Sequence, residues 1–367
     1  MNPKTARRIA CFISPHGYGH AARASAVMEA AHEALPGTHF DIYTLVPRRF
    51  FEESLRGPFT YRRFLTDIGL AQKSPLEPDL FETVRRLDRL FPLDTDRLLG
   101  LADSIRKRGC GLILCDIAPM GIEVARAAGL PSVLLENFTW DWIYESYDVD
   151  GLRRQARYLT GVFEKADHRI QAEPICRLQP GAYRVPPISR RPRSPARTVR
   201  AALGVPKGTP LVLVTQGGVH GDFEFLDRLA LKKGVCFLVP GASKKKVTRK
   251  GSLVLMPHHS GHYHPDLVRA ADAVVGKAGY STLAEVYREG VPFGYVLPVG
   301  FRESTVLADF IRDRMPGMPI SEERFHTAAW LDDLPDLLAL PRGDPPVLDG
   351  ALEASRILLE ILQRNHS

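Results

Sequence analysis

The chain has 367 residues, 44% of them hydrophobic and 25% charged, a length and balance that predict two soluble globular domains. The net charge of +7 admits a phosphorylated ligand, nucleic acid or an anionic membrane surface. The arginines are scattered and no aromatic–basic recognition motif interleaves them, so nucleic acid is set aside as a partner.

Five cysteines (Cys11, Cys110, Cys115, Cys176 and Cys236) form no Cys-x-x-Cys pair, which speaks for a reducing cytosol and against a disulfide framework. The apolar run that follows Arg8 ends at Ser14-Pro15, too soon for a secretion signal. No stretch approaches the ~20 apolar residues of a membrane span. The expectation is a cytoplasmic protein, at most peripheral to a membrane. Arg48, Arg49, Arg62 and Arg63 are the residues that would meet an anionic surface, although scattered surface charge accounts for them more simply. The oligomeric state is left open.

Along the chain, strands alternate with helices. Residues 9–14 read as a strand ending in His16-Gly17-Tyr18-Gly19-His20, followed by an amphipathic helix over 21–35 and a strand over 40–46. Residues 111–115 are a buried strand ending at Asp116. A helix over 120–128 is stopped by Gly129-Leu130-Pro131, and a strand follows at 132–135. Residues 185–195 hold four prolines and little apolar material, which reads as an interdomain linker over 185–197 or as a long surface loop. The pattern then restarts. Strands are predicted at 210–215, ending in Gln216-Gly217-Gly218, and at 236–239, 253–256 and 273–276. A helix over 280–289 is stopped by Gly290-Val291-Pro292, and a strand follows at 293–297. An amphipathic helix over 348–362 closes the chain. The fold class is therefore α/β, two Rossmann-like doubly wound domains (1–184 and 198–347) facing a central cleft, with 348–367 as a helix able to cross back to the first domain.

Three constellations carry chemistry. In the first, a strand, a Gly-containing turn and a helix follow one another over 273–285. The leading N–H groups of a helix lack intrahelical partners and its dipole is positive there, so phosphate binds readily. Gly279 permits close backbone approach, Ser281 and Thr282 offer hydroxyls, Lys277 a positive charge, and Glu285 an acceptor for ribose hydroxyls. The spacing alone equally fits a tight βα connection capped by Ser281 or Thr282.

The second is the loop of His16, Gly17, Gly19 and His20 at a strand's C-terminal end. A histidine titrating near neutrality suits proton abstraction, and Asp116 at the end of a buried strand suits the orienting partner. His16 is the competing base, and both histidines could instead be structural, with the glycines shaping the loop. The third is Glu136-Asn137-Phe138-Thr139-Trp140-Asp141, where aromatic faces and carboxylates could line a sugar-binding wall or an aromatic core patch. His258-His259-Ser260-Gly261-His262-Tyr263-His264 crowds its histidines into one loop, which argues against a metal site.

The run Lys277-Ala278-Gly279-Tyr280-Ser281-Thr282-Leu283-Ala284-Glu285 resembles the donor-binding signature of GT-B glycosyltransferases. The resemblance extends from His264 through Pro292 and is shared with UDP-glycosyltransferases and peptidoglycan-type N-acetylglucosaminyltransferases. It implies an inverting, metal-independent transfer of a hexosyl or N-acetylhexosaminyl group from a nucleotide-diphosphate sugar, of UDP type, to a hydroxyl acceptor, without a cofactor. By the same resemblance His20 is the base and Asp116 its partner. Tyr280, Ser281 and Thr282 hold phosphate, Glu285 the ribose, and Gln216, Gly217 and Gly218 form the Gly-rich donor loop. Glu303 and Ser304 stand where the family usually has Asp-Gln on the donor sugar, so the sugar's identity stays open. The wall of Glu136, Asn137, Trp140 and Asp141, with the His-Gly-Tyr-Gly-His loop, is similar to the glycosyltransferase-like half of plant arabinose kinases. A nucleotide-sugar 2-epimerase and a non-catalytic nucleotide-sugar-binding module are the rival expectations.

Overall fold

The computed structural model describes residues 8–73, 77–215, 225–257 and 260–364, which divide into two compact units, 1–190 with 348–367 and 191–347. The first unit opens with β1 (Arg8–Ile13), α1 (Gly19–Ala34), β2 (His39–Thr44), α2 (Arg48–Ser54) and β3 (Phe59–Arg63). Then come α3 (Leu80–Leu90), α4 (Thr95–Lys107), β4 (Leu112–Asp116), α5 (Pro119–Ala128), β5 (Ser132–Glu136) and α6 (Trp140–Tyr144). It continues with α7 (Asp150–Phe163), β6 (His168–Ala172) and β7 (Tyr183–Val185). The seven strands are all parallel and ordered β3-β2-β1-β4-β5-β6-β7. β1, β4 and β5 are near-continuous apolar runs because they lie at the centre of a sheet covered on both faces.

The second unit contains α8 (Ala196–Ala202), β8 (Leu211–Thr215), α9 (Leu226–Leu231), β9 (Cys236–Ser243), β10 (Thr248–Lys250) and β11 (Leu253–Pro257). Next are α10 (His264–Ala270), β12 (Ala273–Lys277), α11 (Tyr280–Glu289), β13 (Phe293–Val296), α12 (Glu303–Arg314) and β14 (Gly317–Pro319). It ends with α13 (Glu322–His326) and α14 (Leu334–Ala339). Its sheet runs β10-β11-β9-β8-β12-β13-β14, with only β10 antiparallel. Successive residues of β8 feed opposite cores. Leu211 and Leu213 pack with Leu238, Val274 and Phe293, whereas Val212 and Val214 pack with Phe237, Val275 and Trp330. That alternation is the direct sign of a sheet buried on both sides.

The last helix, α15 (Gly350–Arg364), belongs to the first unit and packs against α1. α1 is buried along most of its length and rich in alanine, whose small side chains let a helix lie between neighbours at close range. The proline-rich stretch 185–195, read from composition as unable to build a core, is packed. Val185, Ile188, Ser189 and Arg190 are buried, with Arg190 over the Phe50 ring and its Nη1 donating to Ser54 Oγ at 3.2 Å. Buried arginine stems do the covering that the apolar count missed.

Both sheets have a topological switch point, where strand order reverses and the ends of adjacent strands splay apart to receive ligands. It falls between β1 and β4 in the first unit and between β8 and β12 in the second. Gly276 shows how tightly the second is built. A Cβ there would lie 1.8 Å from the carbonyl oxygen of Thr215, so only glycine lets β12 pair with β8 at this point. Among the described residues, no helix is long and apolar enough to cross a membrane.

Candidate active site

The first unit's switch point places His20, in the first turn of α1, against Asp116, the last residue of β4. His20 Nδ1 lies 3.0 Å from Asp116 Oδ1. Asp116 is fully buried and His20 only 8% exposed. Phe138 and Trp140 present ring edges to the imidazole at centroid distances of 6.0 and 6.2 Å. The second ring nitrogen, Nε2, has no hydrogen-bond partner among the described residues.

Two residues that local pattern did not reveal complete the cluster. Arg23, one helical turn beyond His20, donates from Nε to Asp116 Oδ2 at 2.9 Å and from Nη2 to Oδ1 at 2.7 Å; its Nη1 donates to Asn137 Oδ1 at 2.6 Å. The signal was an arginine on an alanine-rich helix face, since a buried guanidinium requires a buried anion. The other is Asp67, whose Oδ1 accepts from Ser14 Oγ at 2.9 Å while Oδ2 is buried with no partner. It reaches the site because the segment after β3 crosses the end of β1, where Thr66 Oγ1 donates to the Ile13 carbonyl at 2.8 Å.

Burial is the largest influence on His20, Asp116 and Asp67. It lowers the proton affinity of His20, with Asp116 opposing and Arg23 reinforcing. It works to raise Asp116, but the Arg23 charge and the hydrogen bonds from His20 and Arg23 outweigh it and hold this carboxyl below its ordinary range. Asp67 has no cation beside it, and burial pushes it up to about 8. Immediately after Asp116, Ile117 has φ of 39°. A β-branched residue in the left-handed region costs about 1–3 kcal/mol and recurs where a site constrains the backbone.

His16 does not join the Asp116 cluster. Its Nδ1 accepts from the Leu70 amide at 3.4 Å, and its ring sits edge-on to Trp140 at 5.1 Å. Gly17 has φ of 71°, which turns the loop, and Gly19 is the first residue of α1. The sugar-binding wall expected at 136–141 divides. Asn137 and Trp140 face the His20 cluster. Glu136 instead bonds Gln171 and Arg169, and burial, against the Arg169 charge, raises its proton affinity. Asp141 Oδ2 accepts from Arg177 at 2.7 Å and Thr160 at 3.0 Å, beside a pocket of about 260 Å³ that these residues line.

In the second unit, the βα turn stands at the end of β12. Gly279 is the N-cap of α11, and among the described residues nothing lies within 4 Å of where its Cβ would be. The N-cap position is held by Gly279, so neither Ser281 nor Thr282 is the N-cap residue. Tyr280 and Thr282 are largely buried. Lys277 is half-buried; burial lowers its proton affinity and the nearby Glu303 charge raises it. Glu285 is buried and meets His264 Nδ1 at 2.7 Å. Ser304 donates from Oγ to the Pro298 carbonyl at 2.9 Å, pinning the loop that leads to Glu303 at the start of α12. Gln216, Gly217, Gly218, His258 and His259 lie outside the described residues. The five cysteines are free thiols.

With this geometry in hand, the fold is that of the GT-B glycosyltransferases. An anthocyanidin 3-O-glucosyltransferase using UDP-glucose, solved with UDP, matches over 98% of this chain and 100% of its own, with a TM-score of 0.61 and 15% identity. A UDP-glucosyltransferase from Polygonum tinctorium capable of glucosylating indoxyl matches over 97% and 98%, at 0.60 and 13%. A calicheamicin glycosyltransferase matches over 98% and 94%, at 0.57 and 15%. No known family profile matches the chain. Among curated proteins it is similar to the L-arabinokinase of Arabidopsis thaliana, 26% identical over 369 aligned positions that take in 96% of this chain. The chain spans about a third of that relative's length, 34%.

Proposed function

We propose that this chain is an inverting glycosyltransferase that moves a hexosyl or N-acetylhexosaminyl group from a UDP-sugar to an acceptor hydroxyl. The observation that carries the reading is the buried hydrogen bond between His20 and Asp116 at a switch point, which leaves Nε2 available to take a proton. In this scheme Asp116 holds the imidazole and stabilises it when charged, and Nε2 removes the acceptor's proton as its oxygen attacks the anomeric carbon. The leaving diphosphate is met by the N–H groups of α11 and by Lys277, charge placed where charge develops. The uridine nucleotide enters the proposal from the UDP-glucose enzymes among the similar structures.

The test is a thermal-shift screen of the whole chain across nucleotide sugars. A bound donor raises the melting temperature with the logarithm of its excess over Kd, and no shift with any of them sinks the proposal. Lys277→Ala is expected to weaken the best donor about tenfold or more, the worth of one charge-assisted hydrogen bond; unchanged affinity removes Lys277 from the site. Because fixed protein charge meets the diphosphate in this scheme, turnover is expected to survive exhaustive chelation of divalent ions. Loss of turnover that returns with added metal would refute the metal-independent form. Donor stabilisation without transfer identifies a binding module, and scrambling at the sugar's C2 without acceptor identifies an epimerase.

A further inference from the structure

Arg23 is 1% exposed and sits among alanines on α1. A guanidinium does not give up its proton inside a protein, so its burial is tolerable only against a matched anion. Asp116 supplies that anion through both oxygens at once, Nε to Oδ2 and Nη2 to Oδ1, while Nη1 is fastened to Asn137. The planar fork leaves the carboxylate no freedom to rotate. His20 therefore meets one fixed oxygen, Oδ1, which it shares with Arg23 Nη2. Nη2 also lies 3.4 Å from His20 Nδ1, and it can only donate.

Two consequences follow. A proton on Nδ1 is the one arrangement that bonds the carboxylate, so the lone pair falls on Nε2. The net charge of the His20–Asp116 pair, −1 in a simple dyad with neutral imidazole, becomes zero once Arg23 is counted. An imidazolium would then have a guanidinium as its neighbour. The remaining titratable groups around His20 do not restore the balance. Asp67, which faces Asp116 from the segment after β3, is pushed up to about 8 by burial. Glu136 on β5 faces Arg23 but is bonded to Arg169 and Gln171. His16 meets the same indole as His20 without touching Asp116.

We infer that Arg23 is a positioning residue of this site, a clamp on Asp116 that holds His20 as the Nδ1–H tautomer and sets a fixed positive charge beside the imidazole. The inference rests on the reading of His20 as the proton acceptor, yet its test needs no turnover. Imidazole nitrogen and carbon NMR shifts of His20, followed through a pH titration of the full chain, report tautomer and proton affinity separately. In the parent protein the Nδ1–H form is expected, titrating below an ordinary histidine. Arg23→Gln keeps hydrogen bonding to Asp116 but removes the charge; it is expected to raise the proton affinity of His20 by about tenfold or more, the effect of one nearby charge. The ascending limb of the pH–rate profile moves to higher pH with it.

Arg23→Lys preserves the ion pair where the neutral variant fails to fold, but an ammonium cannot span both oxygens. The expected signature there is mixed tautomers at nearly unchanged proton affinity. A folded Arg23→Gln protein with an unmoved His20 titration overturns the inference, and so does an Arg23→Lys protein with the tautomer intact. If His20→Ala retains turnover while the NMR results hold, the fault lies in the functional reading and the clamp stands.

Discussion

Replacing His20 by alanine is expected to lower kcat by about 10²–10⁴-fold, the usual worth of a positioned general base, while donor affinity stays at its parent value. The split follows from geography. His20 stands at the switch point of the first unit's sheet, and the groups proposed to meet the diphosphate stand on β12 and α11 of the second. On that proposal, removing the base leaves the donor's ground-state contacts untouched. The pH profile gives an independent check. Burial and Arg23 lower the proton affinity of His20 by more than Asp116 raises it, so the ascending limb of kcat/KM in the parent should have its midpoint below the ordinary histidine value of about 6.5. Stability has the same sign. His20 and Asp116 are both depressed in the fold, so each contributes stability that is present above its unfolded pKa and is lost as pH falls through the folded one. Near-parental turnover in His20→Ala at the pH optimum would dismiss the base assignment.

Asp116 is not a cleaner target for the same question. Asp116→Asn strips the counter-charge from a buried guanidinium, an imbalance that costs about 3–5 kcal/mol, and its lost activity would be confounded with lost fold.

How legible was this site? The parts built on period and punctuation were readable. The apolar runs that became β1, β4 and β12, the Gly-containing turns after β1 and β12, and the Gly290 stop of α11 each have a local physical signature. That was enough to set His20 and Asp116 at the ends of neighbouring strands. What local pattern could not supply was the segment 64–71. Nothing around Asp67 marks it as chemical. It matters because the chain between β3 and α3 crosses the end of β1 and lays Asp67 beside Ser14, 53 residues earlier. Arg23 was hidden differently, one turn from His20 inside a helix whose pattern reads only as amphipathic. The wall at 136–141 shows the limit of composition. Glu136 and Asp141 lie five residues apart on a strand end and a short helix, and each is engaged by an arginine, Arg169 and Arg177, whose approach no local pattern announces.

Asp67 carries the last expected result: Asp67→Asn should stabilise the protein in mild alkali and leave it unchanged in acid. The carboxyl is buried and faces the Asp116 charge; the Ser14 hydroxyl and the Trp140 indole oppose burial by hydrogen bonding, and among the described residues it has no cation of its own. Its proton is therefore kept up to about pH 8 in the fold, against about 3.9 in an unfolded chain. The folded state binds the extra proton, so stability is full below pH ~4 and falls as pH climbs towards the folded value, where the loss saturates. Four pH units at about 1.4 kcal/mol each amount to roughly 5–6 kcal/mol. Asparagine has the same shape and accepts from Ser14 in the same way, but it has no proton to lose. Thermal melts of the two proteins should coincide near pH 4 and separate steadily, by about 10 °C at pH 8. Parallel melting curves across that range would mean that Asp67 ionises in the fold, which would put a second negative charge beside Asp116 and undo the electrostatic account of His20 given above.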